Sequence, residues 1–202
     1  MAAQVFVISG ASGSGKTTLV RALQANDPQL RFSVSYTTRP PRPGEIDGQD
    51  YCFVSEAKFR QFLQDGQVVE YVQQFGHYYG TSRLWIEEAL KGQQDILFDV
   101  EIHGAKALKE HFPQGTFIFI LPPSLEILEE RLRRRGSLPE TELQQRLARV
   151  QQEIREAPWY DYLVVNDDLD EATARLQAIV LAARCRTALL WPVLSSQWLS
   201  PA

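Results

Sequence analysis

The chain has 202 residues, 44% of them hydrophobic and 23% charged, with a formal net charge of -4. This is the make-up of a globular domain, and the length suits one domain with a sizeable core. The acidic balance excludes a global pull toward DNA or anionic lipid, so anionic ligands must be captured by local Arg and Lys clusters.

Val5 to Ile8 is a short β-branched run and predicts a strand buried on both faces. A glycine-rich turn follows, and Thr18 to Gln24 predicts a helix. A second strand is expected over Phe32 to Ser35. Thr38 to Gly48 carries three prolines and two glycines and predicts a loop. Tyr51 to Val54 and Val68 to Phe75 read as strands, the second turning at Gly76 into Tyr78-Tyr79. Between them Ser55 is placed to cap a helix that Gly66 ends. These segments predict a small mixed sheet inserted into the main domain. Thr81 is expected to cap a helix running to about Lys91.

Further strands are expected over Asp95 to Val100, Thr116 to Leu121 and Tyr162 to Val165. Helices are expected over Ala105 to His111, from Ser124 to Gly136, from Glu140 to Glu156 and from Leu169 to Leu190. Alternating strands and helices predict an α/β fold in three layers, with a mainly parallel central sheet. The last segment, Trp191 to Ala202, has two tryptophans, two prolines and no charged side chain. It is expected to pack on its own domain or on a second subunit.

Gly10-Ala11-Ser12-Gly13-Ser14-Gly15-Lys16-Thr17 matches G-x-x-x-x-G-K-[ST] at every fixed position. It lies after a predicted strand and before a predicted helix, the context this phosphate loop requires. Glycines let backbone N–H groups approach phosphate oxygens, and the helix adds partial positive charge at its N-terminus. The loop and Thr18 are thus expected to bind a nucleoside triphosphate. Lys16 would reach the β- and γ-phosphates, and the Thr17 hydroxyl would ligate magnesium.

Cys52 and Cys185 form no CxxC pair and read as thiols of a reducing compartment. His77, His103 and His111 show no metal-ligand spacing. The N-terminus lacks a basic region followed by a long apolar one, and no apolar run has the length of a membrane span. The expectation is a cytoplasmic protein, monomeric or homo-oligomeric, with no nucleic-acid or membrane partner.

A phosphate loop names a donor. The acceptor signal starts at Ser33 and runs through Ser35, Thr37, Thr38, Arg39, Arg42, Gly44, Glu45, Gly48 and Asp50 to Tyr51. Two arginines three apart in a proline-stiffened loop can converge on one phosphate through their planar forks. Read alone, this stretch is better taken as a solvated polar loop, and Glu70 as a surface strand residue rather than a ligand.

The stretch resembles the nucleoside-monophosphate site of guanylate kinases, S-x-S-x-T-T-R-x-x-R-x-G-E-x-x-G-x-D-Y. The resemblance continues through Glu70, Tyr79-Gly80-Thr81 and Asp99 to Ala105, then Arg131 to Gly136, Arg146-Leu147 and Tyr160 to Asp167. It implies transfer of the γ-phosphoryl of ATP to GMP, and also to dGMP, with magnesium. It implies a core of 1–34, 82–125 and 157–190, a GMP-binding region of about 35–81 and a lid of about 126–156.

By the same resemblance Arg39, Arg42, Tyr51 and Tyr79 hold the monophosphate. Glu70, with Ser35 and Thr81, reads guanine: a carboxylate accepts N1–H and N2–H2 together, a pairing adenine cannot offer. Gly80, Asp99 and Glu101 complete the GMP set. Glu101 and His103 depart from the usual Asp and Gln. Arg131, Arg135 and Arg146 match a lid that closes over ATP, with Gly136 to Pro139 as its hinge, and Asn166 contacts adenine. A solvated basic helix face is the lesser, alternative reading for Arg133 and Arg134. Rival readings are a kinase with another acceptor, opposed by Glu70 and the Ser35 to Tyr51 stretch, a dead binding module, opposed by the intact loop, and a regulatory GTPase, whose motifs are not evident.

Overall fold

The computed structural model describes residues 3–74, 76–134 and 140–199. Five strands form an all-parallel central sheet: β1 (Val5–Gly10), β2 (Leu30–Phe32), β7 (Asp95–Asp99), β8 (Thr116–Leu121) and β9 (Tyr162–Val165), in the order β2-β7-β1-β8-β9. β1 sits in the middle, pairing Val5 to Ile8 with Ile96 to Asp99 on one side and Phe6 to Gly10 with Thr116 to Ile120 on the other. Helices cover both of its faces, which is why it reads as an unbroken apolar run.

Side-chain alternation divides the core in two. Val5, Val7, Ile96, Phe98, Phe117 and Phe119 face α3 (Arg83–Lys91), α4 (Ile102–His111), α5 (Leu125–Arg134) and α6 (Glu140–Ile154). Phe6, Ile8, Leu97, Ile118 and Ile120 face α1 (Lys16–Asn26) and α7 (Leu169–Arg184). Phe6, Phe98, Phe117 and Phe119 have no exposed surface, each burial worth roughly 1.5–3 kcal/mol.

The second sheet is small and mixed. β3 (Tyr36–Thr37) pairs in parallel with β4 (Cys52–Phe53) and antiparallel with β6 (His77–Ser82), which pairs antiparallel with β5 (Val68–Gln74). It packs on α2 (Glu56–Gln64), whose buried Phe59 stacks on Tyr78 with centroids 5.3 Å apart. Ser55 caps α2 as its sequence predicts, its hydroxyl accepting from Lys58 N–H.

Four boundaries differ from the expectations. The strand expected over Phe32 to Ser35 is two: β2 stops at Phe32, and the chain crosses to the other sheet before β3 starts at Tyr36. Ser82, not Thr81, caps α3 by accepting from Trp85 N–H, because the Thr81 hydroxyl is turned inward to Glu70. α4 starts at Ile102 rather than Ala105. The last long helix ends at Arg184, and a separate α8 (Thr187–Trp198) follows.

Trp191, Trp198 and Leu199 are 54%, 78% and 67% exposed, so much of the apolar surface of this segment is left open. No single helix among the described residues is long and apolar enough to cross a membrane; α7 and α8 together pass on length and composition, but bend by 44°.

Candidate active site

The C-terminal edge of the parallel sheet opens into a cavity of about 570 Å³. Open α/β sheets place their ligands at this edge. Its walls bring together the segments that the sequence singles out from distant parts of the chain.

The first wall is the loop between β1 and α1, Gly10 to Thr18. Gly15 adopts φ 88° and serves as the N-cap of α1 without a side-chain cap. The amides of the first helical turn therefore stay open to an anion. A Cβ on Gly15 would stand 2.3 Å from the Asn166 side-chain nitrogen, so only glycine fits. Asn166 is buried and donates that amide to the Ser14 carbonyl at 2.7 Å, bracing the loop from β9.

Lys16 reaches across to the end of β7 and donates to Asp99 Oδ1. The Thr17 hydroxyl faces the other oxygen, Oδ2, at 3.5 Å. Burial pulls the Lys16 ammonium below its ordinary value, and Glu101 and Glu153 pull it back. The Asp99 carboxylate stands against it as its ion-pair partner.

The second wall is the small sheet and its loop, contributing Ser35, Arg39, Arg42, Tyr51, Glu70, Tyr79 and Gly80. Arg39 is buried and makes a fork-to-fork pair with Glu45, Nη1 to Oε2 at 2.8 Å and Nη2 to Oε1 at 2.9 Å. Glu45 also accepts from Arg42 N–H at 2.7 Å, so one carboxylate ties both halves of the arginine loop. The bond to Arg39 holds the Glu45 carboxyl below its ordinary range. The Arg39 guanidinium lies 5.3 Å from the Tyr51 ring centroid, and Tyr51 meets Tyr79 edge-on at 6.1 Å. Burial raises the Tyr51 phenol, so it stays protonated and able to donate.

Glu70 is 9% exposed and accepts from the Thr81 hydroxyl at 2.5 Å. Burial pushes its carboxyl up, and the Thr81 bond partly offsets this. Gly104 of α4 lies against it: a Cβ there would be 3.1 Å from Glu70 Oε2. Thr81 thus orients the carboxylate from behind rather than lining the cavity.

The third wall is helical, with Leu132 from α5 and Arg146 and Arg149 from α6. Arg131 points elsewhere, donating to the Asn166 carbonyl at 3.2 Å. Arg133 pairs with Glu129 and Glu140 at the surface, in keeping with a solvated face. Arg135 and the segment Gly136 to Pro139 lie outside the described residues.

Asp99 and Glu101 both line the cavity, as expected, while His103 is exposed. Sequence reasoning gives Arg149 and Glu153 no place, and Gly104 only as part of the Asp99 to Ala105 stretch. Arg149 carried a readable signal, three residues after Arg146 on one helical face. Glu153 acts through Ser12, 141 residues away, and carried none.

Comparisons with known proteins place the chain in a family. The guanylate kinase family model matches residues 2–183. A guanylate kinase of Syntrophus aciditrophicus is 47% identical over 180 residues, covering 89% of this chain and 86% of its own. One from Synechocystis is 46% identical over 177 residues, covering 88% and 93%. The crystal structure of guanylate kinase from Anaplasma phagocytophilum superposes with a TM-score of 0.79 at 30% identity, over 98% of this chain and 96% of its own. With the match running from the first strand to the end of α7, this chain belongs to the guanylate kinase family.

Proposed function

We infer that this chain is an ATP:GMP phosphotransferase, which moves the γ-phosphoryl group of ATP directly onto the phosphate of GMP, giving ADP and GDP and returning GMP to the purine nucleotide pool. One observation carries the reading of the site. A single cavity is walled on one side by the phosphate loop and on the other by Arg39, Tyr79 and Glu70, so donor and acceptor can meet in one enclosure.

In the donor half, Gly10 to Thr18 would cradle the ATP phosphates. Lys16 would leave Asp99 for the β- and γ-oxygens. Asn166, whose nitrogen is spent on Ser14, retains its side-chain oxygen for the adenine amino group. In the acceptor half, Arg39 and Arg42 would take the GMP phosphate with hydrogen bonds from Tyr51 and Tyr79. Glu70, aimed by Thr81, would accept the guanine N1–H and N2–H2, with Ser35, Gly80 and Glu101 around the base.

The GMP phosphate oxygen is already a nucleophile, so no covalent enzyme intermediate is needed. The protein's work is positioning and charge stabilisation. Lys16 and Arg39 with Arg135 and Arg146 would supply the positive charge, and Arg131 would join them only on leaving the Asn166 carbonyl. Residues 35–81 would act as the GMP-binding region and 126–156 as a lid, closing on the core of 1–34, 82–125 and 157–190 to exclude water, since water would otherwise take the phosphoryl group.

The Thr17 hydroxyl and the Asp99 carboxylate converge as two hard oxygen donors beside the phosphate loop, a set that suits Mg2+. Thr17 and Asp99 would hold the ion there, and it would supply positive charge against the donor phosphates.

The test is ADP formation from ATP with GMP, dGMP, AMP, CMP or UMP in turn. GMP-dependent turnover is expected, with AMP far weaker. No turnover with GMP above ATP alone would end the kinase reading. AMP matching GMP would end the role given to Glu70 while leaving the kinase class standing.

A further inference from the structure

Glu153 is a buried carboxylate at the C-terminal turn of α6, with 9% of its side chain exposed. One oxygen, Oε2, accepts the backbone N–H of Ser12 at 2.7 Å, across 141 residues of sequence. The other, Oε1, accepts from Arg149 Nε at 3.0 Å. Burying a carboxylate costs several kcal/mol unless it is paired and hydrogen-bonded. Both oxygens are engaged here, so the carboxylate has little freedom to move.

The two partners are not a random pair. Ser12 is the third residue of the phosphate loop, and Arg149 lines the same cavity from α6. Positions 146, 149 and 153 fall at i, i+3 and i+7, one stripe of the helix. Arg146 therefore stands on the same face, about 10 Å further along the axis. Pinning Glu153 fixes both the rotation and the height of that stripe over the loop. The charge of Glu153 also acts on Lys16, pulling its ammonium back up against burial.

We propose that Glu153 is a positioning residue of the donor half: it fastens α6 to the phosphate loop and so sets where Arg149 and Arg146 stand over the transferred phosphoryl group. Arg149 is then a further phosphoryl-facing cation, and its ion pair with Glu153 fixes its direction. A carboxylate suits this place because it can accept from an amide and a guanidinium at once. Glutamine retains one acceptor oxygen and loses the charge. Alanine loses both bonds and leaves the Ser12 N–H and Arg149 to be satisfied elsewhere.

The inference rests on the phosphotransfer reading, and the experiment separates the two. The full-length protein, Glu153→Ala and Glu153→Gln are assayed for kcat and for the KM of ATP and GMP, and melted without ligands. GMP-dependent activity of the unaltered protein tests the reading itself. Given that activity, Glu153→Ala should lose kcat by on the order of 10- to 100-fold, the scale of a small misplacement of catalytic groups. The KM for GMP should stay within about twofold, since the acceptor wall is untouched. Glu153→Gln should recover part of kcat by keeping the Ser12 bond. Arg149→Ala should lower kcat as well, and adding it to Glu153→Ala should cost much less than the product of the two losses. The proposal is overturned if Glu153→Ala keeps kcat within about twofold, or if Ala and Gln fall equally and the loss follows the unfolded fraction.

Discussion

Thr81 donates its hydroxyl hydrogen to Glu70 at 2.5 Å, and the carboxylate it orients is almost fully buried in the wall of the acceptor half. Burial holds Glu70 above its ordinary carboxyl range. Guanine N1–H and N2–H2 are donors, so only ionised Glu70 accepts both. The KM for GMP should therefore rise as pH falls through the raised Glu70 value, over a window starting higher than an exposed glutamate would give. The KM for ATP should not follow. Because the GMP phosphate also titrates near pH 6, the comparison is with Glu70→Gln, in which the guanine part of the pH dependence disappears and the KM for GMP is higher by about tenfold or more. The stability sign is opposite. A carboxyl with a raised folded value adds stability below its unfolded value and loses it as pH rises through the folded one. Ligand-free Glu70→Gln should therefore melt at a higher temperature than the unaltered protein near pH 7. A lower melting point would mean that burial of the charge is already compensated.

Gly104 gives a second way to disturb the same carboxylate without touching it chemically. A Cβ at this position would lie 3.1 Å from Glu70 Oε2 and 3.3 Å from the Val100 Cβ, tighter than ordinary contact. The position is within α4, where alanine is favoured over glycine by up to about 1 kcal/mol. Gly104→Ala should thus raise the KM for GMP by roughly tenfold while the melting temperature holds or rises. Equal GMP affinity in the variant would show that Glu70 has room to retreat.

Both the donor loop and the central sheet are legible in the amino-acid sequence, for different reasons. The phosphate loop can be read because its chemistry is local: eight consecutive residues carry glycines, lysine and hydroxyl at fixed spacing. The central strands can be read because both their faces are buried. The GMP side is legible mainly through family resemblance, since Glu70 alone looks like a surface strand residue. What stays hidden is long-range. The step between sheets after Phe32, the inward turn of Thr81 that moves the α3 cap to Ser82, and the Glu153 to Ser12 bond depend on partners up to 141 residues away. No periodicity encodes such pairs.

Arg39 should tolerate lysine poorly. Its two nitrogens meet both oxygens of Glu45 in parallel, and its plane lies beside the Tyr51 ring. An ammonium can make neither the fork nor the same stacking. Arg39→Lys is expected to raise the KM for GMP by about tenfold or more and to leave the KM for ATP within about twofold. Steady-state kinetics with each substrate varied in turn decides it.

The apolar α8 starts beyond the matched residues 2–183 and exposes Trp191 and Trp198. None of its described side chains lines the cavity. Deleting 187–202 should leave kcat within about twofold, because the donor and acceptor walls are complete without it. Self-association, measured by light scattering, should decrease, since the deletion removes a contiguous exposed apolar surface. A large loss of kcat would tie the helix to the catalytic cycle.

Lys16 offers the sharpest separation of fold from chemistry. Its ammonium is held by Asp99 at the end of β7, inside a loop whose shape comes from glycines and from the Asn166 brace. Lys16→Met keeps an unbranched side chain of similar volume and removes the charge. It leaves Asp99 without its ammonium partner, which should cost stability of about 1–3 kcal/mol. The central sheet is packed independently, so circular dichroism should still report the native fold. Turnover is a different matter: a cation aimed at charge that grows in the transition state is worth roughly 10²–10³-fold in kcat. A variant that folds, binds GMP normally and has lost activity on that scale is the expected result. A folded variant with kcat within about threefold of the unaltered protein would show that the developing charge is met by the arginines alone.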